Sequence, residues 1–494
     1  MRNLTSLFPA FVAASVLGSL AAADEPLAVT GELTVEPATI KLTHRRQPHS
    51  IIVSAKTKDG LSVDLTSEAT WKIADETIAR VNLLGWVQPV KSVKSGSTTV
   101  EIQAAGKTAS VKVEVALADQ AKPYNFRHDI MPVLSKGGCN TGACHGYSLG
   151  KNGFKLSLRG SDPAPDFVSL TDEFFERRIN RHNPPASLLI TKPLGDVPHQ
   201  GGVRFDHGSL LHEMLLGWVG EGAPSNLEDP VRLVSTRIYP TSAVLKPGMQ
   251  HQMQLLATYS DGSVRDVTRL GIFEANTQTV AGVDDEGLVT SLELGETAIV
   301  ARFERVFATA NIIVLNPNPD FQPTPLPENL VDRHILQKLN ELKIKPSGLI
   351  DDAGYLRRVS LDLIGLQPTP EEVLAFLNDK DPQKRAKIVE TLMKRPEFTD
   401  WWTLKWGDLL QNSRNRLSAP AVFAFREWIR SAVAQNMALD QFRREILTIR
   451  GGVLVHPAPA HFAVSKGTGD PPQRALPQIG RASWLGRERI RVGP

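Results

Sequence analysis

The sequence predicts a multidomain chain: two all-β sandwiches, a small mainly α module between them, and a C-terminal all-α domain. Three observations lead there. A segment from 27 to 117 repeats over 233–316 with its landmarks displaced by about 200 residues, both cysteines fall in one short glycine-rich run between the copies, and the hydrophobic period changes from two to 3.6 after a proline-rich stretch. At 494 residues and one domain per roughly 100–200 residues, three to five separate cores are expected.

Composition narrows the classes further. Apolar residues are 41% and charged residues 22% of the chain, the ordinary globular range. The 56 basic and 53 acidic residues leave +3, so neither a nucleic-acid footprint nor a patch for anionic membrane is expected, and partners must be argued from sites.

Residues 1–23 have the order of a secretory signal peptide. Arg2 precedes an apolar run from Leu7 to Leu20, and Ala21-Ala22-Ala23 stand before Asp24, which places cleavage after Ala23. The run is shorter than the ~20 residues that span a bilayer, contains Pro9, and has no counterpart later in the chain. Export to the periplasm or cell surface is therefore expected, with no membrane span after cleavage.

In the repeat, Asp59-Gly60, Asp64 and Thr66 correspond to Asp261-Gly262, Asp266 and Thr268, each displaced by 202 (261 − 59 = 202, 268 − 66 = 202). Gly85-x-Val87 and Gly287-x-Val289 keep that spacing, and Gly96 and Gly295 precede the alternating runs Thr98-Val100-Ile102 and Thr297-Ile299-Ala301. Short alternating strands between Asp-Gly and Gly turns suit a sandwich, in which one face of each strand meets the opposing sheet. Together with an aromatic strand residue, Trp71 or Phe273, these motifs resemble the group 2 bacterial immunoglobulin-like domain. That family implies a spacer or adhesive module, sometimes a carbohydrate binder. The aspartates read as turn holders rather than calcium ligands, because no dense acidic loop accompanies them.

Between the copies, 118–225 holds Gly137-Gly138-Cys139-Asn140-Thr141-Gly142-Ala143-Cys144-His145-Gly146. Two thiols can add across porphyrin vinyl groups to attach haem c, and a histidine directly after the second cysteine can lie under the iron. Four residues separate the cysteines here, a rarer spacing than two, and Gly138 and Gly142 would let the loop bulge. A disulfide, a partial zinc site and two unrelated buried thiols are the competing readings; only haem requires the adjoining histidine. Residues 146–160 read as a glycine-rich loop running into a strand, without the features of a phosphate loop.

Phe126-Arg127-His128-Asp129-Ile130-Met131-Pro132 before the cysteines, and Leu215-Leu216-Gly217-Trp218-Val219-Gly220-Glu221-Gly222-Ala223-Pro224 after them, resemble the borders of the cytochrome c-like module of planctomycete proteins. The resemblance implies a Trp-bearing helix closing over the haem. Where many such modules carry a methionine, this chain reads Val197-Pro198-His199-Gln200-Gly201-Gly202, so His199 is the candidate sixth ligand and Met214 the fallback. Bis-histidine ligation would lower the potential relative to His/Met.

Residues 317–327 form a stiff Pro-rich linker. Beyond it, 328–455 read as helices. Leu330, Ile335, Leu336, Leu339 and Leu342 have helical spacing, a second helix starts after Asp351-Asp352, and Thr369-Pro370-Glu371-Glu372 is a helix start. Further helices are predicted near 382–394, 397–411, 420–435 and 438–449. The motifs Val331-Asp332-Arg333-His334-Ile335, Leu356 to Pro370 and Trp402 to Leu410 resemble the helical domain of unknown function 1549, which supplies no activity. Arg357, Arg358, Asp362 and Asp408 read as charges bracing helices, and Trp401, Trp402 and Trp406 as core. The irregular Arg-, Gly- and Pro-rich stretch 466–494 suggests a truncated or frame-shifted end.

The functional expectation is an exported c-type haem protein in electron transfer, holding haem c through Cys139, Cys144, His145 and His199 and meeting a redox partner that the sequence does not identify. Two alternatives stand beside it. One is an adhesive or carbohydrate-binding surface protein with a Cys139–Cys144 disulfide and a surface glycan as partner; the other is a component of exported polysaccharide degradation. No catalytic residue can be named, so a carrier is expected rather than a catalyst.

Overall fold

Strand-forming sequence occupies the first third of the chain and recurs in the second. The computed structural model describes residues 28–118, 122–316, 318, 320–415, 417–448, 454, 457 and 458; the expected export signal and the irregular tail lie outside them. The chain divides into two units, Met1–Lys345 and Pro346–Pro494.

The first β-domain contains β1 (Val29–Glu36), β2 (Thr39–Leu42), β3 (Ile52–Thr57), β4 (Ser62–Asp64), β5 (Thr70–Ile73), β6 (Ala79–Val81), β7 (Val87–Pro89), β8 (Ser95–Ala104) and β9 (Lys107–Ala116). They form sheets ordered β1-β3-β4 and β2-β9-β8-β5 and a ribbon β6-β7. The first strand changes sheets: β1 runs antiparallel to β3, and past Pro37 the chain crosses to β2, parallel to β9. The alternation along β8 and β9 turns Val100, Ile102, Val111 and Val113 inward, where they join Ile40 and Val53 in a core of their own. This is an immunoglobulin-like sandwich.

The second copy repeats it with β10 (Leu233–Tyr239), β11 (Ser242–Leu245), β12 (Gln250–Gln252), β13 (Gln254–Tyr259), β14 (Val264–Asp266), β15 (Ile272–Ala275), β16 (Ala281–Val283), β17 (Leu288–Ser291), β18 (Gly295–Phe303) and β19 (Val306–Val314). Its sheets are β10-β13-β14, β11-β19-β18-β15 and β12-β17-β16. The Gly-x-Val motif and the aromatic turn out to be one device. Gly85 (φ +75°) lies under Trp71, where a Cβ would stand 2.8 Å from the indole, and Gly287 (φ +83°) lies under Phe273 at 3.1 Å.

The Asp-x-Thr motif does more than hold a turn. Asp64 accepts from the Thr66 N–H at 2.8 Å, and Asp266 from the Thr268 N–H at 3.0 Å. Each carboxylate then uses its second oxygen on the other sandwich: Asp266 accepts from the Ser50 N–H (2.8 Å), and Asp64 from the Gln252 N–H (2.6 Å). His49 stands 3.7 Å from Asp266, and His251 stands 4.0 Å from Asp64. Partners and motifs keep the same displacement (252 − 50 = 202, 251 − 49 = 202), so the two sandwiches meet through a self-complementary surface of the kind found in two-fold dimers. Asp266→Ala strands donors at a fully buried carboxylate; a loss of about 2–4 kcal/mol is expected. Asp64, at 12% exposure, should cost less, and urea unfolding of each variant checks the order.

The segment between the sandwiches is built of short helices and loops. It holds a π-turn Phe126–Ile130, α1 (Met131–Lys136), α2 (Pro163–Thr171), a single turn α3 (Glu173–Glu176), α4 (Leu188–Leu194) and α5 (Leu210–Gly220). The strand expected within 146–160 does not form; Lys151 and Phe154 make one isolated bridge, and a 3₁₀ turn follows at Leu158–Gly160. Four glycines in fifteen residues leave too little side chain for a sheet face to bury.

Trp218 is fully buried, packs on Phe126 and Phe167, and donates Nε1–H to the Pro224 carbonyl at 2.9 Å. The core of this module is continuous with that of the second sandwich. Around that shared core, Arg265 pairs with Asp129 (2.6 Å), His128 Nδ1 meets Glu304 (2.6 Å), and Lys136 donates to the Gly271 carbonyl (2.6 Å). A helix α6 (Leu330–Glu341) ends the first unit, capped by Asn329, with no residue fully buried.

In the second unit the predicted helices appear as α7 (Asp352–Ile364), α8 (Pro370–Asn378), α9 (Lys384–Met393), α10 (Pro396–Leu409), α11 (Ala419–Ala434) and α12 (Leu439–Thr448). Asp351 caps α7, and Thr369 and Glu372 form a capping box on α8. Phe425, Ile429, Phe442 and Ile446 form the core, with Trp406 and Trp428 packed on Phe442. Arg357, Arg358, Asp362 and Asp408 make no ion pair among the described residues. The braces are Arg385–Asp352, Arg395–Glu372 and Arg430–Asp400, since an ion pair needs side chains that converge in space as well as in charge. Among the described residues no helix is long and apolar enough to cross a membrane.

Candidate cofactor site

The cysteine loop starts where α1 ends. Gly138 takes φ +72°, and the Cys139 N–H caps the helix on the Leu134 carbonyl (2.9 Å). The loop then closes on itself, the His145 N–H donating to the Cys139 carbonyl (3.0 Å) and the Gly146 N–H to the Thr141 carbonyl (2.9 Å). A Cβ on residue 146 would stand 2.2 Å from the Asn140 carbonyl oxygen, so the backbone needs glycine at Gly146; Gly142, expected to serve that purpose, has room for a Cβ. Cys139 and Cys144 are both free thiols. Burial pushes the Cys139 thiol up to about 11, and the Arg204 guanidinium lies 3.4 Å from the Cys144 sulfur.

His145 and His199 approach from separate parts of the chain. The Phe154 carbonyl lies 3.0 Å from His145 Nδ1, and the Gly202 carbonyl lies 2.9 Å from His199 Nδ1. Neither Nε2 has a hydrogen-bond partner among the described residues. The two rings are inclined by 13° with centroids 6.5 Å apart. Burial draws the His145 pKa below the ordinary value, which favours the neutral imidazole that binds metals.

Both cysteines and both histidines line one cavity of about 470 Å³, within the roughly 300–1,000 Å³ usual for cofactor pockets. Leu134, Leu189, Pro193, Phe154 and Phe174 supply apolar wall; Lys151, Arg177, Arg178, Lys192 and Arg204 are its charged lining, and no Asp or Glu is among it. The sequence motifs named none of these cations, and the stretch 151–204, with eight Lys and Arg against six Asp and Glu, carries no charge signal that would have found them. Met214 is 9% exposed in the core of α5 and does not line the cavity, nor does Trp218.

Two imidazoles on opposite sides of one iron, at metal–nitrogen bonds of about 2 Å, have centroids roughly 6.3 Å apart. The observed centroid separation of 6.5 Å is of that size, and both Nε2 atoms lack a hydrogen-bond partner among the described residues. Each Nδ1 held by a carbonyl is the usual outer partner of a ligating histidine. A closed zinc site fits less well, for among the described residues no group of three or more His, Cys, Asp or Glu side chains is placed to hold a metal ion.

Fold and site together define a class: paired immunoglobulin-like sandwiches with a helical insert whose cavity is lined by two thiols and two imidazoles. Residues 330–462 match the family model PSCyt2, Protein of unknown function (DUF1549). Over 295 residues the chain is 24% identical to "Ice-binding protein 1" of Shewanella frigidimarina (strain NCIMB 400), a match covering 60% of this chain and 30% of that protein's length. Among solved structures it is similar to the S-layer protein SbsC(31-844), at 9% identity over 59% of this chain and 28% of that one, with a TM-score of 0.16. SbsC domains 5-6 are 11% identical over 58% of this chain and 98% of that one, with a TM-score of 0.25. The fold assignment rests on the strand order described above.

Proposed function

We propose that this chain is an exported c-type haem protein of electron transfer, in which Cys139 and Cys144 would carry the thioether links and His145 and His199 would hold the iron. The single observation carrying the reading is the pair of imidazoles, with ring centroids 6.5 Å apart, that lines one cavity with the two thiols. Haem bound there supplies a one-electron couple at its iron.

The residues present suit carriage rather than turnover. His145 and His199 would both be taken up in holding the iron, while their carbonyl anchors fix the rings and so limit rearrangement between oxidation states. The sandwiches act as rigid spacers outside the cytoplasm.

Mass spectrometry of the peptide spanning 139–145, from protein made in cells that mature c-type cytochromes, tests this. One haem added to the peptide is the expected result. A peptide two hydrogens lighter would overturn the reading in favour of a disulfide-stapled surface protein.

A further inference from the structure

A second cavity, of about 150 Å³, lies where the helical insert meets the hairpin between β18 and β19. Arg127, Arg159 and Arg305 line it, together with Ser135, Ser161 and Glu304. None of the three guanidinium groups has a hydrogen-bond or ion-pair partner among the described residues. The one carboxylate of the lining is already engaged, for Glu304 meets His128 Nδ1 at 2.6 Å. Asp162, next along the chain from Ser161, does not line the cavity, and counting it as well still leaves one positive charge in excess. Arg302, on the same hairpin, is half-buried, and burial followed by the charge of Arg159 lowers its pKa against the pull of Glu274.

The fold does not need these charges where they stand. In the first sandwich the matching hairpin turns through Ala105 and Gly106; in the second it turns through Glu304 and Arg305, 199 residues further on (304 − 105 = 199). The backbone is kept, φ +47° at Ala105 and +50° at Glu304, so small uncharged residues suffice for the turn. Arg159 is exposed and takes φ +56°, a region that costs a non-glycine residue on the order of 1–2 kcal/mol. Ser135, only 9% exposed, lies in the wall between them. Its Oγ accepts from Asn140 Nδ2 at 2.9 Å, which leaves the hydroxyl hydrogen without an acceptor among the described residues. A buried donor without an acceptor is costly unless something fills that place.

We infer that Arg127, Arg159, Arg305 and the Ser135 hydroxyl form a binding site for one tetrahedral oxyanion, a phosphate or sulfate group. Each of these free groups is a donor, and an oxyanion answers donors with acceptors alone. The volume equals about five waters at ~30 Å³ each, the size of one such group. A carboxylate has two oxygens and serves a single guanidinium fork, whereas three arginines call for more acceptor atoms. Binding makes and breaks no covalent bond, and the site stands whether or not the thiols carry haem.

The test is isothermal titration calorimetry of the full chain at low ionic strength with sodium phosphate, sodium sulfate and sodium chloride. Saturable binding of phosphate, of sulfate or of both is expected at one site per chain, and none of chloride. Phosphate alone would assign a phosphoryl group, and sulfate alone a sulfate ester. The double variant Arg159→Gln/Arg305→Gln, changed at two exposed positions, should bind at least about 10-fold more weakly with its circular dichroism unchanged. Arg305→Gly, which copies the turn of the first sandwich, should weaken binding about 3-fold or more with the hairpin intact. Lys151→Gln/Arg177→Gln, at the larger cavity, should bind like the parent. Heats that match those of chloride, an arginine double variant that binds like the parent, or a loss confined to Lys151→Gln/Arg177→Gln would overturn the site.

Discussion

A chain carrying Cys139→Ser and Cys144→Ser together should retain no haem after denaturation, whereas the parent should keep it through a denaturing gel stained for haem peroxidase activity. The expectation follows from the chemistry of the loop. Each thioether is a covalent bond that survives unfolding, and a hydroxyl at either position forms none. Single substitutions should leave one link and a weaker band. His199→Ala separates attachment from ligation: the covalent group should persist while the absorbance spectrum changes, because His199 reaches the cavity from a different loop and contributes no sulfur. Equal staining of the parent and the double variant would refute the assignment of the thiols.

The second large effect is expected at Trp218, which does not line that cavity. It is the largest fully buried side chain, it packs on Phe126 and Phe167, and its Nε1–H is spent on the Pro224 carbonyl. Trp218→Ala should cost about 3–5 kcal/mol from lost burial and the cavity left behind, against total domain stabilities of roughly 5–15 kcal/mol. Because this core runs into that of the second sandwich, urea unfolding followed by circular dichroism should show both destabilised together. The first sandwich, with a separate core, should unfold at a less altered midpoint. A variant whose transitions all match the parent's would contradict the shared core.

Much of the fold was legible in the sequence, for reasons that can be named. The 202-residue displacement located both sandwiches because turn residues such as Gly60, Gly85 and Gly287 are fixed by local backbone conformation. The helix starts at Asp351 and Thr369 were legible for the same reason, since a cap is satisfied within three residues of chain. Short range also explains the failures. The glycine-rich stretch after Gly146 alternates on paper, but a strand needs a partner edge, and among the described residues it makes only the isolated Lys151–Phe154 bridge. Arg357 and Asp408 looked like braces by type, yet their side chains do not converge on opposite charges. The Asp-x-Thr motif was read as a turn, which it is, but its second oxygen serves the opposite sandwich.

By itself the sequence determined the order of the domains, the turns and caps, and the placing of Cys139, Cys144 and His145 in one closed loop, because all of these depend on residues near each other in the chain. Only the tertiary structure decided that His199 and His145 line one cavity while Met214 is turned into the core, that Lys151, Arg177, Arg178, Lys192 and Arg204 share that lining, and that the sandwiches meet reciprocally. Those facts depend on where separate loops converge once apolar surface is buried, and no spacing along a single strand of sequence encodes a distance through space.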